Sequence, residues 1–298
     1  MPMLRFTYES LREIDTYNPI QMKFCSNGGW IKLVIIDKMF LKHKHIFKRA
    51  VQLLRYVEEL PLFVLPMVLL PGEIQELRVF EPRYRQMLDD CLLDDRNFGL
   101  VLNDPLLPVN HWDGPRTHGC EAEIIHHETK GSNHFLQIVG RRRFTVTQVH
   151  EPALPPFDHP LVESLVSVDG VDPDLQTILE RIPDDAEHLK LYISAEVEYH
   201  EPIEETTSEQ QIALKELVDF VLNRIGTMLN IDEDMLEQWV KTTPMLQVVD
   251  GDPNSVYSVA ALLVSDLEAR QQILSKDDID STISQLSHYI SVSYDEEE

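Results

Sequence analysis

The sequence predicts an α+β protein: a mixed β barrel with one helix laid against it, followed by a helical half. Three observations carry this expectation. Residues 60–70 form the most apolar run in the chain, and prolines at 61, 66 and 71 cut that run at intervals of five. Apolar side chains recur at helical spacing over 84–92, between segments of strand character. A second helical stripe, much longer, runs from Ile212 to Met228.

Composition sets the scale. At 298 residues and 43% hydrophobic, the chain can bury a sizeable core, and length alone suggests about two domains of roughly 150 residues each. The apolar run is too short for a spanning helix, which needs about 20 apolar residues. Nor does the N-terminal sequence hold an apolar core ending in a small-residue cleavage site. The expectation is a soluble, cytoplasmic protein. Cys25, Cys91 and Cys120 lack C-x-x-C spacing, so neither a disulfide framework nor a zinc ribbon is indicated.

The formal net charge of −25 disfavours nucleic acid, whose affinity depends on neutralising phosphates with Lys and Arg. Charge is unevenly distributed. Residues 1–57 hold 10 of the 26 Lys and Arg and only 4 of the 51 Asp and Glu, which leaves 16 against 47 for the remainder. We read 1–57 as a basic N-terminal extension, with Met39 able to serve as an internal start and a strand and a basic amphipathic helix within it. A chain beginning near Leu54 is expected to keep its melting temperature. A large fall on truncation would show that the extension belongs to the core.

The elements follow in order. Proline cannot donate to a β ladder and sits at edges, strand starts or bulges, so "FVLP" and "MVLLPG" are expected to be two short strands. Pro71-Gly72 then makes a turn in which Gly takes positive φ. "IQELRVF" is a strand. Glu81-Pro82 starts a helix, because the missing N–H of Pro costs nothing in a first turn. Tyr84, Met87, Leu88, Cys91 and Leu92 give that helix its core face. "FGLVL" (98–102) is a strand, followed by a polar loop containing Pro105, Pro108, Gly114 and Pro115. Further strands lie at 120–128 and 134–151, around a turn at 131–133. "YHEPIEETTSEQ" reads as an exposed connection. In the helical half, Ser208 and Gln211 form a capping box before the stripe Ile212, Leu217, Val218, Val221, Ile225 and Met228, and Asp232, Asp252 and Asp277 mark later helix starts.

In their order and spacing, Pro61, Phe63, Pro71, Gly72, Phe80, Glu81, Pro82, Arg83, Tyr84, Gly99, Gly119, Gly140, Arg143 and Phe144 resemble the substrate-binding domain found at the N-terminus of Lon proteases and as a free-standing protein. "VYSVAALLVSDLEARQQILSKDDIDSTISQL" is similar to the helical half of that domain. The resemblance covers residues 58–168 and 254–290. It implies a PUA-like pseudobarrel over 58–168 and a helical bundle over 169–298 with an acidic tail. It also implies a non-catalytic module that holds polypeptide segments. The partners it implies are unfolded or partly folded polypeptides, and a protease or chaperone that receives them.

Catalytic motifs are absent by the same reading. A phosphate loop needs G-x-x-x-x-G-K-[ST]. "GPRTHGCE" keeps the glycine spacing but places Cys120 and Glu121 where Lys and Ser or Thr must stand. The Lon peptidase uses a Ser-Lys dyad with its serine in a Gly-Pro-Ser context, and here Gly114-Pro115 is followed by Arg116. No enzymatic activity and no cofactor are expected. "HHE" at 126–128 and "HKH" at 43–45 suit zinc by residue type. Neighbouring strand residues face opposite sides, however, so the expectation is no metal site. Glu81 and Arg83 are expected to pair or cap beside the helix start. For client binding, an exposed strand edge near Val64, Leu65, Met67 and Leu69 would accept an extended peptide by β addition. The alternative is a PUA-like nucleic-acid-binding module that uses the basic extension.

Overall fold

The computed structural model describes residues 20–26, 29–35, 58–131, 133–165, 173, 175–184, 186–201, 206–229, 231, 232, 235 and 254–295. The chain divides into two units, Met1–Tyr56 and Val57–Glu298. In the first, β1 (Ile20–Ser26) and β2 (Gly29–Ile35) pair antiparallel. The expected basic helix of that unit lies outside the described residues.

The second unit is built on a ring of strands. β3 (Glu58–Leu65) pairs parallel with β5 (Phe98–Val109). Antiparallel pairing continues from β5 to β6 (Trp112–Lys130), from β6 to β7 (Asn133–His150), and from β7 to β8 (Ser194–Tyr199). β8 then pairs antiparallel with β3 and closes the ring. Closure removes strand edges, the exposed liability of an open sheet. The strand that closes the barrel therefore lies inside 169–298, the stretch expected to be helical, and the barrel does not end at residue 168. Outside the ring stands β4 (Ile74–Val79), which pairs with the first half of β7, from Ile74↔Val139 to Val79↔His134.

Proline chemistry explains the apolar run in part. β3 ends at Leu65, before Pro66, and takes in the "FVL" of the first expected strand. The second expected strand does not form: residues 67–70 join no ladder. Val68, Leu69 and Leu70 are instead buried in a core shared with the helices, so this segment is apolar all round because it is enclosed. At Pro71-Gly72 the chain turns as expected, with the Glu73 N–H donating to the Leu70 carbonyl at 3.1 Å and Gly72 at φ +79°.

That turn is fastened to β7 at Gly140. The Gly72 N–H donates to the Gly140 carbonyl and the Gly140 N–H to the Glu73 carbonyl, both at 2.9 Å. Just beyond it, β7 leaves β4 and takes up β8, from Phe144 onward. Inside the ring, the Phe144 ring fills the space over Gly99 and Gly119, where a Cβ would come within 2.6 and 2.4 Å of it.

The polar loop expected after 102 is a hairpin. β5 continues to Val109, the chain reverses at Asn110 and His111 with positive φ, and β6 begins at Trp112. Asn tolerates that conformation better than most residues, and a register shift between Asp104 and Val109 accommodates the prolines.

The helix α1 (Pro82–Leu93) starts with Pro at its first turn and buries Tyr84, Met87, Leu88 and Cys91, as its period predicts; Leu92 is exposed. Burial pushes the Cys91 thiol up to about 12, so it remains protonated. An excursion between β7 and β8 carries the short helix α2 (Leu175–Leu179) and its own small core of Leu154, Val162, Leu165, Ile178, Ile182 and Leu191.

Among the described residues, the helical half contains α3 (Ser208–Met228), α4 (Ser255–Leu263), α5 (Leu267–Leu274) and α6 (Ile279–Asp295). The capping box is Thr207 with Gln210, one residue before the expected pair. Leu214, Val218, Val221 and Leu222 form the buried face, whereas Ile212 and Met228 are exposed at the helix ends. α6 is capped by Asp278, whose carboxylate accepts from the Ser281 N–H at 2.8 Å, rather than by Asp277. Asp252 and most of the segment after Asp232 lie outside the described residues.

Polar side chains tie the helices to the barrel. The guanidinium of Arg143 donates to the carbonyls of Leu274 and Lys276 at the end of α5. Arg270 reaches back to Glu73 and to the Val68 carbonyl. Gln271 donates to the His118 carbonyl at 3.0 Å. His118 and His200 meet beside Arg143, with ring centroids 6.0 Å apart. Desolvation holds both imidazoles below their ordinary pKa. Arg143 adds to the depression in both, His118 adds to it in His200, and Asp277 opposes it in both. Each depressed histidine binds fewer protons when folded than when unfolded, so its contribution is complete above about pH 6.5 and is lost as pH falls. The melting temperature should therefore begin to drop as pH falls below about 6.5, the ordinary histidine value, before most carboxylates start to protonate. His200→Gln should flatten that slope in calorimetry; an unchanged slope would exclude this seam as its source.

Candidate functional site

The residues after β4 create an apolar groove. Phe80 leaves the edge strand with 55% of its surface exposed. Glu81 precedes the first turn of α1 without capping it through its side chain, and instead accepts from the Arg83 Nε at 2.9 Å. The expected pairing forms; the side-chain cap does not. Arg83 is further held between two aromatic faces, with its guanidinium 3.8 Å from the centre of the Trp112 ring and 4.1 Å from that of Tyr84. Such cation–π contacts contribute about 0.5–2 kcal/mol each, so they fix Arg83 and Trp112 together.

The opposite wall comes from the excursion. The Trp112 Nε1–H donates to the Leu154 carbonyl at 2.9 Å, and Asn110 Nδ2 donates to the Pro152 carbonyl at 2.9 Å. These bonds attach the hairpin end to the "LPPF" stretch at 154–157. Gln86 on α1 fastens the return of the excursion, donating to the Leu189 carbonyl and accepting from the Leu191 N–H at 2.7 Å. Between the walls lies a groove of about 400 Å³, with Leu154, Pro155, Pro156, Phe157, Ile178 and Leu191 on one side and Phe80, Pro82 and Trp112 on the other. Its size falls within the ordinary range of ligand pockets, roughly 300–1,000 Å³.

Tyr84 anchors the groove to the barrel. Burial raises its phenol above the ordinary value, although Arg83 opposes the shift. The hydroxyl stays protonated and donates to the Val64 carbonyl at 2.7 Å. Phe63 packs on the Tyr84 and Phe98 rings, at centroid distances of 4.2 and 5.8 Å.

The sequence-derived positions separate into two sets. Phe80, Glu81, Pro82 and Arg83 line the groove. Phe63, Pro71, Gly72, Tyr84, Gly99, Gly119, Gly140, Arg143 and Phe144 are framework, and Pro61 pairs with Ser194 in the closing ladder. The four residues expected beside a client are elsewhere. Val64 is 6% and Leu69 0% exposed, so both are core side chains, in separate clusters; Leu65 and Met67 are half-buried against the cluster that holds Leu69. Their apolar character is accounted for by burial. Trp112, the 154–157 stretch, Ile178 and Leu191 were not anticipated. Among the described residues, no group of three or more His, Cys, Asp or Glu is placed to hold a metal ion, and no helix is long and apolar enough to cross a membrane. His43 and His45 lie outside the described residues.

Comparison with known proteins places these features in a family context. Residues 59–291 match the family model described as the ATP-dependent protease La (LON) substrate-binding domain. Among solved structures, a Lon N-terminal domain protein from Xanthomonas campestris is 23% identical, with a TM-score of 0.48, and the match covers 78% of this chain and 99% of that one. The N-terminal domain of the Mycobacterium avium complex Lon protease is 16% identical, with a TM-score of 0.46 and coverage of 78% and 98%. The search of curated proteins returned no match.

Proposed function

We propose, because this chain belongs to the LON substrate-binding domain family, that it holds unfolded polypeptide segments in the groove between Phe80, Trp112 and the 154–157 stretch. The observation that carries this reading is the apolar groove itself, with Trp112 fixed by Arg83 and an exposed Phe80 at its rim. An apolar client side chain entering it leaves water, a transfer of about 1.5–3 kcal/mol per large side chain. Phe80 directly follows β4, the strand at the end of the sheet order. A client in extended conformation would add to that edge by main-chain hydrogen bonds while placing one side chain in the groove. The chain then acts as an adaptor that holds clients for a protease or chaperone. Nucleic acid fits less well. The basic run in the barrel is engaged internally, Arg141 with Glu123, Arg142 with Glu121 and Arg143 with helix carbonyls.

Groove variants test this directly. Phe80→Ser and Trp112→Ala should each weaken binding of a permanently unfolded client about tenfold, equivalent to roughly 1.4 kcal/mol, while Leu262→Ser on the exposed face of α4 should leave it unchanged. Fluorescence anisotropy on variants with intact melting curves is the measurement. Affinity unaffected by Phe80→Ser and Trp112→Ala would remove the groove from the account.

A further inference from the structure

β4 ends the sheet order, and among the described residues no strand pairs with its far side. Its free main-chain groups can be assigned. In an antiparallel ladder, residues whose N–H and C=O bond the neighbouring strand alternate with residues whose groups point away from it. The Gly140 N–H donates to the Glu73 carbonyl just outside the Ile74↔Val139 pair. That bond belongs to a ladder in which Ile74, Glu76 and Arg78 turn their main-chain groups to the open edge. The same three residues, with Phe80 beyond them, are also the exposed ones of the stretch, Ile74 by 56% and Phe80 by 55%. Glu76 meets no counterion among the described residues. Arg78 donates from Nε and Nη2 to the Asn133 Oδ1, both at 3.1 Å, which leaves Nη1 for a further acceptor.

We propose that this edge pairs with the same edge of a second copy of the chain, antiparallel about a two-fold axis through Leu77. Residues directly opposite in an antiparallel pair share a face, and a two-fold contact makes every pairing occur twice. Main-chain bonding restricts the paired residues to those whose groups point outward. Within residues 74–80, the registers that engage both Glu76 and Arg78 place the axis at Glu76, at Leu77 or at Arg78. The first sets Glu76 against Glu76 of the other copy, and the last sets Arg78 against Arg78. Like charges directly opposite are destabilising. With the axis at Leu77, Glu76 of each copy faces Arg78 of the other, and Ile74 faces Phe80. The exposed positions read apolar, acid, base, apolar, an order that is its own complement when reversed, so charge selects this register over its neighbours. A single six-residue edge buries less than a standard interface, and the dimer is therefore reversible, in the micromolar range or weaker. An edge so occupied is closed to a client strand. That consequence rests on the client-binding reading above, whereas the dimer itself does not.

Sedimentation of the full chain over about 1–500 µM, the range suited to a weak dimer, tests the pairing with no client present. The expected result is a reversible monomer–dimer equilibrium. Glu76→Arg and Arg78→Glu each set like charges at every facing pair, and each should weaken the dimer at least tenfold. Mixing the two variants restores opposite charges at both pairs, so the mixture should form a heterodimer about as tightly as wild type self-associates. The double variant Glu76→Arg, Arg78→Glu reverses the pairs within one chain and should dimerise as wild type does, which keeps the test intact if one single variant fails to fold. A wild-type chain that stays monomeric throughout overturns the proposal and leaves the edge to other partners. A dimer unaffected by either single substitution also overturns it, as does a mixture or a double variant that remains monomeric, because each places the contact elsewhere.

Discussion

Gly140→Ala is expected to destabilise the barrel by about 3 kcal/mol or more, at or above the upper end of ordinary overpacking. A Cβ at this position would lie 2.1 Å from the carbonyl oxygen of Leu70 and 2.9 Å from its carbon. Those atoms are backbone, and they cannot withdraw. Gly72 and Glu73 are bonded to Gly140 on both sides, and the Glu73 carboxylate accepts from the Leu70 N–H at 2.9 Å and from Gln75 at 2.8 Å while also holding Arg270. Moving the turn would disturb the place where β7 exchanges β4 for β8. Gly131 is the matched control. It has φ +62°, but a methyl added there would meet nothing within 4 Å, so Gly131→Ala should cost only about 1 kcal/mol, the penalty for the left-handed conformation. Denaturant midpoints measure both, and similar small losses at the two positions would contradict the packing described for Gly140.

The second large effect is expected at Arg143, which is 5% exposed. Arg143→Met keeps much of the volume but leaves the Leu274 and Lys276 carbonyls without their charged donor. It also removes a cation 5.5 Å from the centre of the Tyr257 ring and a positive charge at the C-terminus of α5, where the helix dipole favours one. Charged hydrogen bonds of this kind contribute about 1.5–3 kcal/mol each, so a loss of about 3 kcal/mol is expected. Amide exchange should show α5 and α6 opening before the barrel. Because Arg143 also depresses His200, the variant should lose less stability on acidification than wild type. Uniform exchange across both halves, with an unaltered pH slope, would contradict the role of Arg143 as the fastening between them.

The sequence revealed these framework residues because each answers a local demand. Pro71-Gly72 demands a turn, Pro82 a first helical turn, and Tyr84 through Cys91 a buried helical face. β8 was missed although Ala195, Val197 and Tyr199 alternate with Glu196 and Glu198, because the acidic residues resemble the loop that follows. The hairpin around Asn110 was hidden by prolines that a register shift absorbs. The groove was only half legible for a different reason. Phe80 to Arg83 lie in one stretch, but Trp112, the 154–157 stretch, Ile178 and Leu191 join them only through tertiary packing, which no local period records. Val64 and Leu69 show a different limit: a strongly apolar run suits a core more readily than a binding surface, and both side chains are buried in the core.

The central claim, that the groove holds unfolded polypeptide through apolar and main-chain contacts, is tested most directly by the affinity for one client in two states. A labelled, permanently unfolded polypeptide and its folded counterpart are titrated with the full chain, by anisotropy, at about 50 mM and about 500 mM salt, a change that shortens the screening length roughly threefold. The account predicts at least tenfold tighter binding of the unfolded form, with that preference maintained at the higher salt because apolar burial does not depend on ionic attraction. Equal affinity for the two forms, or binding abolished by salt, would contradict it and favour an electrostatic partner instead.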